Sequence, residues 1–351
     1  MRRALKSPLA LTIGLAVAAL VGISVWLLTD PKTTRADALR TGGLAGASIV
    51  ALYALWLNDR RRKVEEGRQE IERQRHDLES HRAERDLERV ADERFAKAVE
   101  LLGDSADQVR VGALHALAGL ARSRVAYRQT VLDVLCSYLR RPFEHKEENT
   151  RDPENSREHV VRQTAQRLIA ELLPARDDLD AEAYNLDLTT ATLDHFDLSG
   201  RRVGELTLRH AHLHSTARFH EMRIEGPLWM TAAELHGKLR MHDSHLNRGW
   251  FTGTKFMEKA VFVRSEFGAE VSFEGAVFSG EALFEGTTFG DSLTLLRTKF
   301  DDYADLRFSA RPSRLELKHT LVRPDREHAL PDWLSTQRQP NGDVRIAAVR
   351  A

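Results

Sequence analysis

The apolar positions of this chain change rhythm several times, and each rhythm predicts a different element. Leu9–Leu28 is a run of twenty uncharged, mostly apolar residues, enough at 1.5 Å per residue to cross a hydrocarbon core of roughly 30 Å. A second uncharged run, Thr41–Leu57, is shorter and richer in glycine. It ends on Trp56 and is followed by Arg60-Arg61-Arg62-Lys63, the flank expected at a membrane interface. Together the runs predict a transmembrane α-hairpin over 1–59, with spans at about 9–28 and 41–57. No A-x-A cleavage site follows the first run and a second span does, which argues against a signal peptide. Arg2, Arg3 and Lys6 precede the first run, whereas the loop between the runs dilutes Lys32, Arg35 and Arg40 with Asp30 and Asp37. The positive-inside tendency then puts both ends in the cytoplasm. The expectation is a multi-pass protein of the cell membrane, with the lipid bilayer as one partner and the C-terminal domains cytoplasmic. Small residues at four-residue spacing, Gly14/Ala18/Gly22 and Gly42/Gly46, would let two backbones approach closely.

From Arg60 onward the chain turns highly charged, with no proline and Gly67 as its one glycine up to Arg94. Val64, Ile71 and Leu78 recur every seven residues, but the matching second seam would hold Gln74 and His81. One apolar position per heptad predicts a solvated spacer helix over 60–86 ahead of a coiled coil, so a homodimer is the weaker expectation.

Between 87 and 175 the period becomes helical. Val90, Phe95, Val99 and Leu102 lie on one helix that stops near Gly103. Ser105 and Gln108 read as a capping box opening a second, with Val109, Leu114, Leu117 and Leu120 on its apolar side. Val131, Val134, Leu135 and Tyr138 mark a third helix, and Val160, Val161, Leu168, Ile169 and Leu172 a fourth. Brief connections predict a small all-α helix-pair domain.

The last rhythm is neither helical nor alternating. Phe251, Phe256, Phe262, Phe267, Phe273, Phe278, Phe284 and Phe289 are spaced 5, 6, 5, 6, 5, 6 and 5, the mark of a short repeated unit. Upstream, Leu188, Leu193, Leu198, Val203, Leu208 and Leu213 keep a strict five-residue register. Single-residue slips carry the ladder through Phe219, Ile224, Trp229, Leu235, Met241 and Leu246, and after Phe289 it runs on through Leu295 and Phe300 to Leu306. Two residues before many rungs the side chain is small, as at Ala191, Ala211, Ser244, Thr254, Ala260, Ser265, Ala276, Ala282, Thr287, Thr298 and Ala304. One large and one small inward residue per face, with a turn after each, describes a chain wound around a narrow four-sided core.

These residues resemble the pentapeptide-repeat family, whose motif is a small residue, Asp or Asn, Leu or Phe, a polar residue and often Gly; Phe196–Gly200, FDLSG, matches apart from its large first residue. The resemblance implies a right-handed quadrilateral β-helix over 186–308, about six coils long. A wider resemblance takes in the two apolar runs, the charged helix and the segments RFAKAVELLG, RQTVLDVLCSYLRRPF and VRQTAQRLIAELL. It is to a group of membrane-anchored pentapeptide-repeat proteins of actinobacteria. The 5/6 alternation departs from the regular family pattern. Beyond Arg311 the repeat is expected to end, with a cap and tail over 309–351: Pro331 and Trp333 would plug the last coil, and disorder is expected after Leu334.

Charge and composition narrow the function. Lys plus Arg and Asp plus Glu both number 52, so the basic surplus of a general nucleic-acid binder is missing and no nucleic-acid partner is expected. A single cysteine, Cys136, excludes an internal disulfide framework and a cysteine-based zinc site; beside the third helix's stripe it reads as a core thiol. No phosphate-loop, dinucleotide, nucleophile-elbow or H-E-x-x-H motif occurs, so no catalytic, cofactor-binding or metal residue is assigned and the chain is not expected to be an enzyme. The one cluster is histidine: eight of fifteen lie between His195 and His245. With 22 residues per coil, His214 would stack near His236 and His220 near His242, a weak metal- or pH-responsive ladder.

The leading expectation is therefore a non-enzymatic, membrane-anchored scaffold presenting its solenoid to an unknown cytoplasmic protein. The alternative is the DNA-mimic, gyrase-binding role that the family resemblance implies. Against it, residues 186–310 hold eighteen acidic and fourteen basic residues, a surplus of only four.

Overall fold

The computed structural model describes residues 8–29, 35–146, 152–340 and 342–349. The chain divides into two compact units, Met1–Arg89 and Val90–Ala351, taken here one at a time.

The first unit is helical. Helix α1 spans Pro8–Thr29, and helix α2 begins at Arg35 and runs without a break to Leu101. Of the small residues expected to bring the two together, Gly46 does so: a Cβ there would lie 2.6 Å from Leu20 Cδ1, whereas Gly14 and Gly22 meet nothing within 4 Å. Gly42 and the side chains of 8–13, 27–28 and 35–39 lie outside the described residues. The transmembrane hairpin is not supported: among the described residues no helix is long and apolar enough to cross a membrane. Beyond Asn58, α2 is solvated, with Val64, Ile71 and Leu78 all exposed and i,i+4 pairs such as Arg62 to Glu66 at 3.1 Å.

The second unit opens with the end of α2, where Ala91 and Ala98 are buried, and with Leu102 just beyond it, also buried. Helices α3 (Asp107–Ser123), α4 (Arg128–Leu139) and α5 (Pro153–Leu172) follow. Their inner faces are Leu114, Leu117, Val131, Leu135, Cys136, Leu168 and Ile169, all 2% exposed or less. Burial pushes the Cys136 thiol well above its ordinary pKa, which fits a packed thiol.

Two local expectations fail. The Ser105/Gln108 capping box is not used, since the N-cap residue is Ala106 and makes no side-chain cap. Asp104 Oδ1 instead accepts from the Ala106 amide at 2.8 Å, so the carboxylate one residue earlier already closes that turn. Val160 points outward and His159 and Arg162 inward, because α5 must satisfy polar partners on the first coil as well as bury an apolar stripe. Asp152 caps α5, accepting from the Asn155 amide at 2.7 Å with Pro153 in the first turn.

Residues from Leu186 on wind into a parallel β-solenoid of about six turns. Four inward columns run along it. One stacks Leu193, Leu213, Leu235, Phe256, Phe278, Phe300 and Val322, each paired in register with the next. Another stacks Val203, Ile224, Leu246, Phe267 and Phe289. Of the ladder residues, Leu188, Leu193, Leu198, Val203, Leu208, Leu213, Phe251, Phe256, Phe262, Phe267, Phe273, Phe278, Phe284, Phe289, Leu295, Phe300 and Leu306 are all 5% exposed or less.

Trp229 is the exception. It lies on the outer surface while its neighbours Leu228 and Met230 are buried. In the run Leu228-Trp229-Met230 three apolar side chains follow one another, and only two of them can alternate inward.

The small residues before the rungs are buried too, and where they carry a hydroxyl it crosses between coils. Thr254 donates to the Met230 carbonyl at 2.7 Å, Thr298 to that of Phe273 at 2.8 Å and Thr320 to that of Leu295 at 2.7 Å. Each of these carbonyls also accepts the backbone amide three residues on, so the hydroxyl supplies a second donor to a buried acceptor and ties one coil to the next.

The 5/6 alternation is a property of the corners. Two residues after a rung the chain turns left-handed on five-residue faces: Ala232 (φ 55), Gly253 (66), Arg264 (55), Gly275 (65), Gly286 (69) and Arg297 (57). The six-residue faces after Phe256, Phe267, Phe278 and Phe289 have no left-handed residue and use an extra residue to turn. At such a corner successive coils crowd instead, and a Cβ on Gly237 would fall 1.7 Å from the Ser215 carbonyl oxygen. The first coil is 20 residues, Leu193 to Leu213, and later ones are 21 or 22.

Other elements pack on both ends of the solenoid. At the first coil, Gln129 exchanges two hydrogen bonds of 2.9 Å with the Asn185 backbone and Arg162 donates to the Thr192 carbonyl at 3.2 Å. At the last, the solenoid runs further than Arg311, through Arg314–Glu316 and Leu321–Val322. Residues after Leu334 do not follow the expected disorder. Leu334–Arg338 and Val344–Ala348 form an antiparallel hairpin whose second strand pairs with Leu321–Val322, and Leu334 and Ile346 are buried against the core. Hairpin pairing hides the strand edge, which Trp333 alone, half-buried beside Phe308, would leave open.

Candidate functional site

The histidines of 195–245 divide according to the corner each follows. His212 and His214 flank inward Leu213, so strand alternation turns both outward on one face. Register places His212 beside Glu234 and His214 beside His236. The His214 and His236 rings stack at 4.6 Å, 3° from parallel, and those of His220 and His242 at 4.9 Å on the next face. Both pairs match the one-coil spacing read from the sequence. His195 and His210 occupy left-handed corners, and His245 lies on another face with Glu266; none of the three rings joins the stack, although His195 Nε2 comes to 4.0 Å from Asp194 Oδ1.

Two further imidazoles enter from the helical segment. His145 stacks on His214 at 3.8 Å and 4°, and His159 of α5 lies 6.3 Å from His145. Neither could be found by repeat spacing, because the contact forms only when α5 docks on the first coil. Asp194, directly before His214 in its column, is buried near His159 (3.3 Å) and His145 (3.8 Å), and its amide donates to Gln166 Oε1 at 3.2 Å. Burial alone would raise the Asp194 carboxyl. The Ser215 hydroxyl and the surrounding histidines outweigh it and hold the group below the usual carboxylate range. His214 moves the other way for its type: burial, and then the adjacent His145 and His236, push it down to about 4.

On the open side of the stack, His212 Nδ1 is 3.4 Å and His236 Nε2 3.7 Å from Glu234 Oε2. Lys255 donates to the other carboxylate oxygen at 2.8 Å. Among the described residues His212, Glu234 and His236 form the one group of side chains whose ligand atoms converge within 4.8 Å. A shallow groove beside the stack is lined by Gln166, Ala170, Asp194, His195, Asp197 and Arg201.

A second outward feature is aromatic. Trp229 and Trp250 stack at 4.0 Å, the Arg209 guanidinium lies 4.2 Å over Trp229, and the Trp229 Nε1–H donates to Glu205 at 2.8 Å. The ladder spacing hides it in the sequence, because that spacing places Trp229 among the core rungs.

Residues 262–310 match the family model described as pentapeptide repeats (9 copies), so these coils are similar to a repeat fold that is generally non-catalytic. The match coincides with the coils in which phenylalanines and left-handed corners are most regular. No curated protein and no solved structure matches the chain.

Proposed function

We propose that the protein is a non-enzymatic scaffold, anchored in the cell membrane by its N-terminal helices and displaying the solenoid to a protein partner in the cytoplasm, as a membrane-anchored member of the pentapeptide-repeat proteins. The observation that carries this reading is the filled interior: inward positions are closed by phenylalanine, leucine and small side chains, which leaves recognition to outward columns. Anchoring is supported by α1, where Gly14–Trp26 carries no charge while Leu15, Val21, Val25 and Trp26 are all exposed. Four adjacent basic residues after Trp56 support the orientation.

Outward charges weigh against the gyrase-binding alternative. Lys255 pairs with Glu234, Arg264 with Asp243, Lys259 with Glu281 and Arg297 with Glu274 across neighbouring coils, so these four carboxylates are neutralised locally.

Crosslinking the full chain in native membranes, followed by alkaline extraction, tests the reading. Retention in the membrane fraction with a crosslinked protein that is lost on Trp250→Ala or Arg209→Glu supports it. Release into the soluble fraction removes the anchor, and strong inhibition of gyrase supercoiling by the purified chain favours the alternative.

A further inference from the structure

We propose that His212, Glu234 and His236 bind one divalent cation of the zinc type on the outer face of the solenoid. The inference stands apart from the scaffold reading, since either holds without the other.

The donor set decides the class of ion. Two imidazoles and one carboxylate suit zinc, cobalt or nickel, whereas calcium and magnesium prefer shells made of oxygen. Ligand bonds of about 2.0–2.2 Å arranged tetrahedrally put donor atoms roughly 3.4 Å apart. The two carboxylate-to-imidazole separations here are 3.4 and 3.7 Å. All three donors already lie within 4.8 Å of one another, so closing the third edge asks for a side-chain adjustment and leaves the backbone in place.

The surroundings hold these donors in position. His212 and Glu234 are register partners on adjacent coils, and His236 directly follows the strand Glu234–Leu235, with one inward residue, Leu235, between it and Glu234. The ring of His236 is packed flat on His214, which is itself packed flat on His145, so its plane is set before an ion arrives. Lys255 takes Glu234 Oε1 and aims Oε2 at the imidazoles, the role an outer partner plays for a ligating carboxylate. The ammonium also adds positive charge close by, which places the affinity below that of a site without it. The fourth position faces solvent and would be filled by water.

Calorimetry with zinc chloride on the tag-free, chelator-treated full chain tests the assignment. One ion per chain is expected, with His212→Ala and Glu234→Gln each weakening binding by more than the roughly 10–100-fold that follows loss of an outer-shell partner. His220→Ala, in the neighbouring stack, should bind as the wild type does. Cobalt titration gives a second readout that does not depend on any variant folding, an intense visible absorption of tetrahedral nitrogen and oxygen ligation. Zinc heats no larger than buffer, binding retained when all three residues are replaced, or displacement of the ion by equimolar magnesium would each overturn the proposal.

Discussion

Phe251 and Phe273 stack with ring centroids 4.5 Å apart and planes 7° from parallel, and the same relationship joins Phe256 to Phe278 and Phe262 to Phe284 at 4.5 and 4.7 Å. Rings from adjoining columns meet edge to face, as Phe262 meets Phe273 at 82°. Each ring is held by its own column and by its neighbours, and the backbone of the coils fixes the space it fills. Phe273→Ala should therefore cost the full cavity penalty, about 3–5 kcal/mol, with little relief from collapse. Phe273→Leu, a residue other coils use in that column, should cost well under half as much in denaturant unfolding. Equal costs would show that the column repacks.

The inter-coil hydroxyls give a second expectation. Thr254→Val removes the hydroxyl donor to the Met230 carbonyl while the Ala233 amide still donates to it, so the loss should be that of one net hydrogen bond, about 0.5–1.5 kcal/mol. Thr254→Ser keeps the bond and should lose less than half of that. Thermal unfolding of the pair separates the hydrogen bond from packing.

Corners of the two kinds should respond to different degrees to the same change. Gly275→Ala meets nothing within 4 Å, so its cost is that of a left-handed alanine alone, about 1–2 kcal/mol. Gly237→Ala meets the Ser215 carbonyl and should lose more, because backbone must move. Ala232, already left-handed, should be stabilised or unchanged on replacement by glycine. A stability loss for Ala232→Gly comparable to that of Gly275→Ala would contradict the corner assignment.

Tyr138 supplies a pH window. Its hydroxyl donates to Glu158 at 3.1 Å and accepts from Arg110 at 3.3 Å, and burial, with the Glu158 carboxylate, raises it from 10.0 to about 12. The unfolded chain loses this proton first. The contribution to stability is thus complete below pH 10 and declines as pH rises from 10 toward 12. Unfolding measured across that range should show the decline in the wild type and less of it in Tyr138→Phe.

Much of this fold was legible because the repeat keeps each inward side chain at a fixed place on its face. Phe251 to Phe289 could be read without knowing the coil length, and the coil length then placed His214 on His236. Trp229 defeated that reading because its neighbours are also apolar, so composition could not say which of three residues turned inward. Ser105, Val160 and the tail after Leu334 were misjudged for a different reason: local signals there gave way to Asp104, to the first coil and to the last strand. His145 and His159 carry no periodic mark at all, and only the docking of α5 makes them part of the site. The left-handed corners were half visible, since glycine marks 253, 275 and 286 while arginine and alanine occupy equivalent turns at 264, 297 and 232.

Helices pack on the first coil, and a reversed hairpin pairs with the last strand of one sheet, Leu321–Val322, so that strand gives no template for a further coil. The flanks are organised differently. There each coil offers one residue per column, and a substitution at any level changes a single step of the surface without disturbing the steps above and below it.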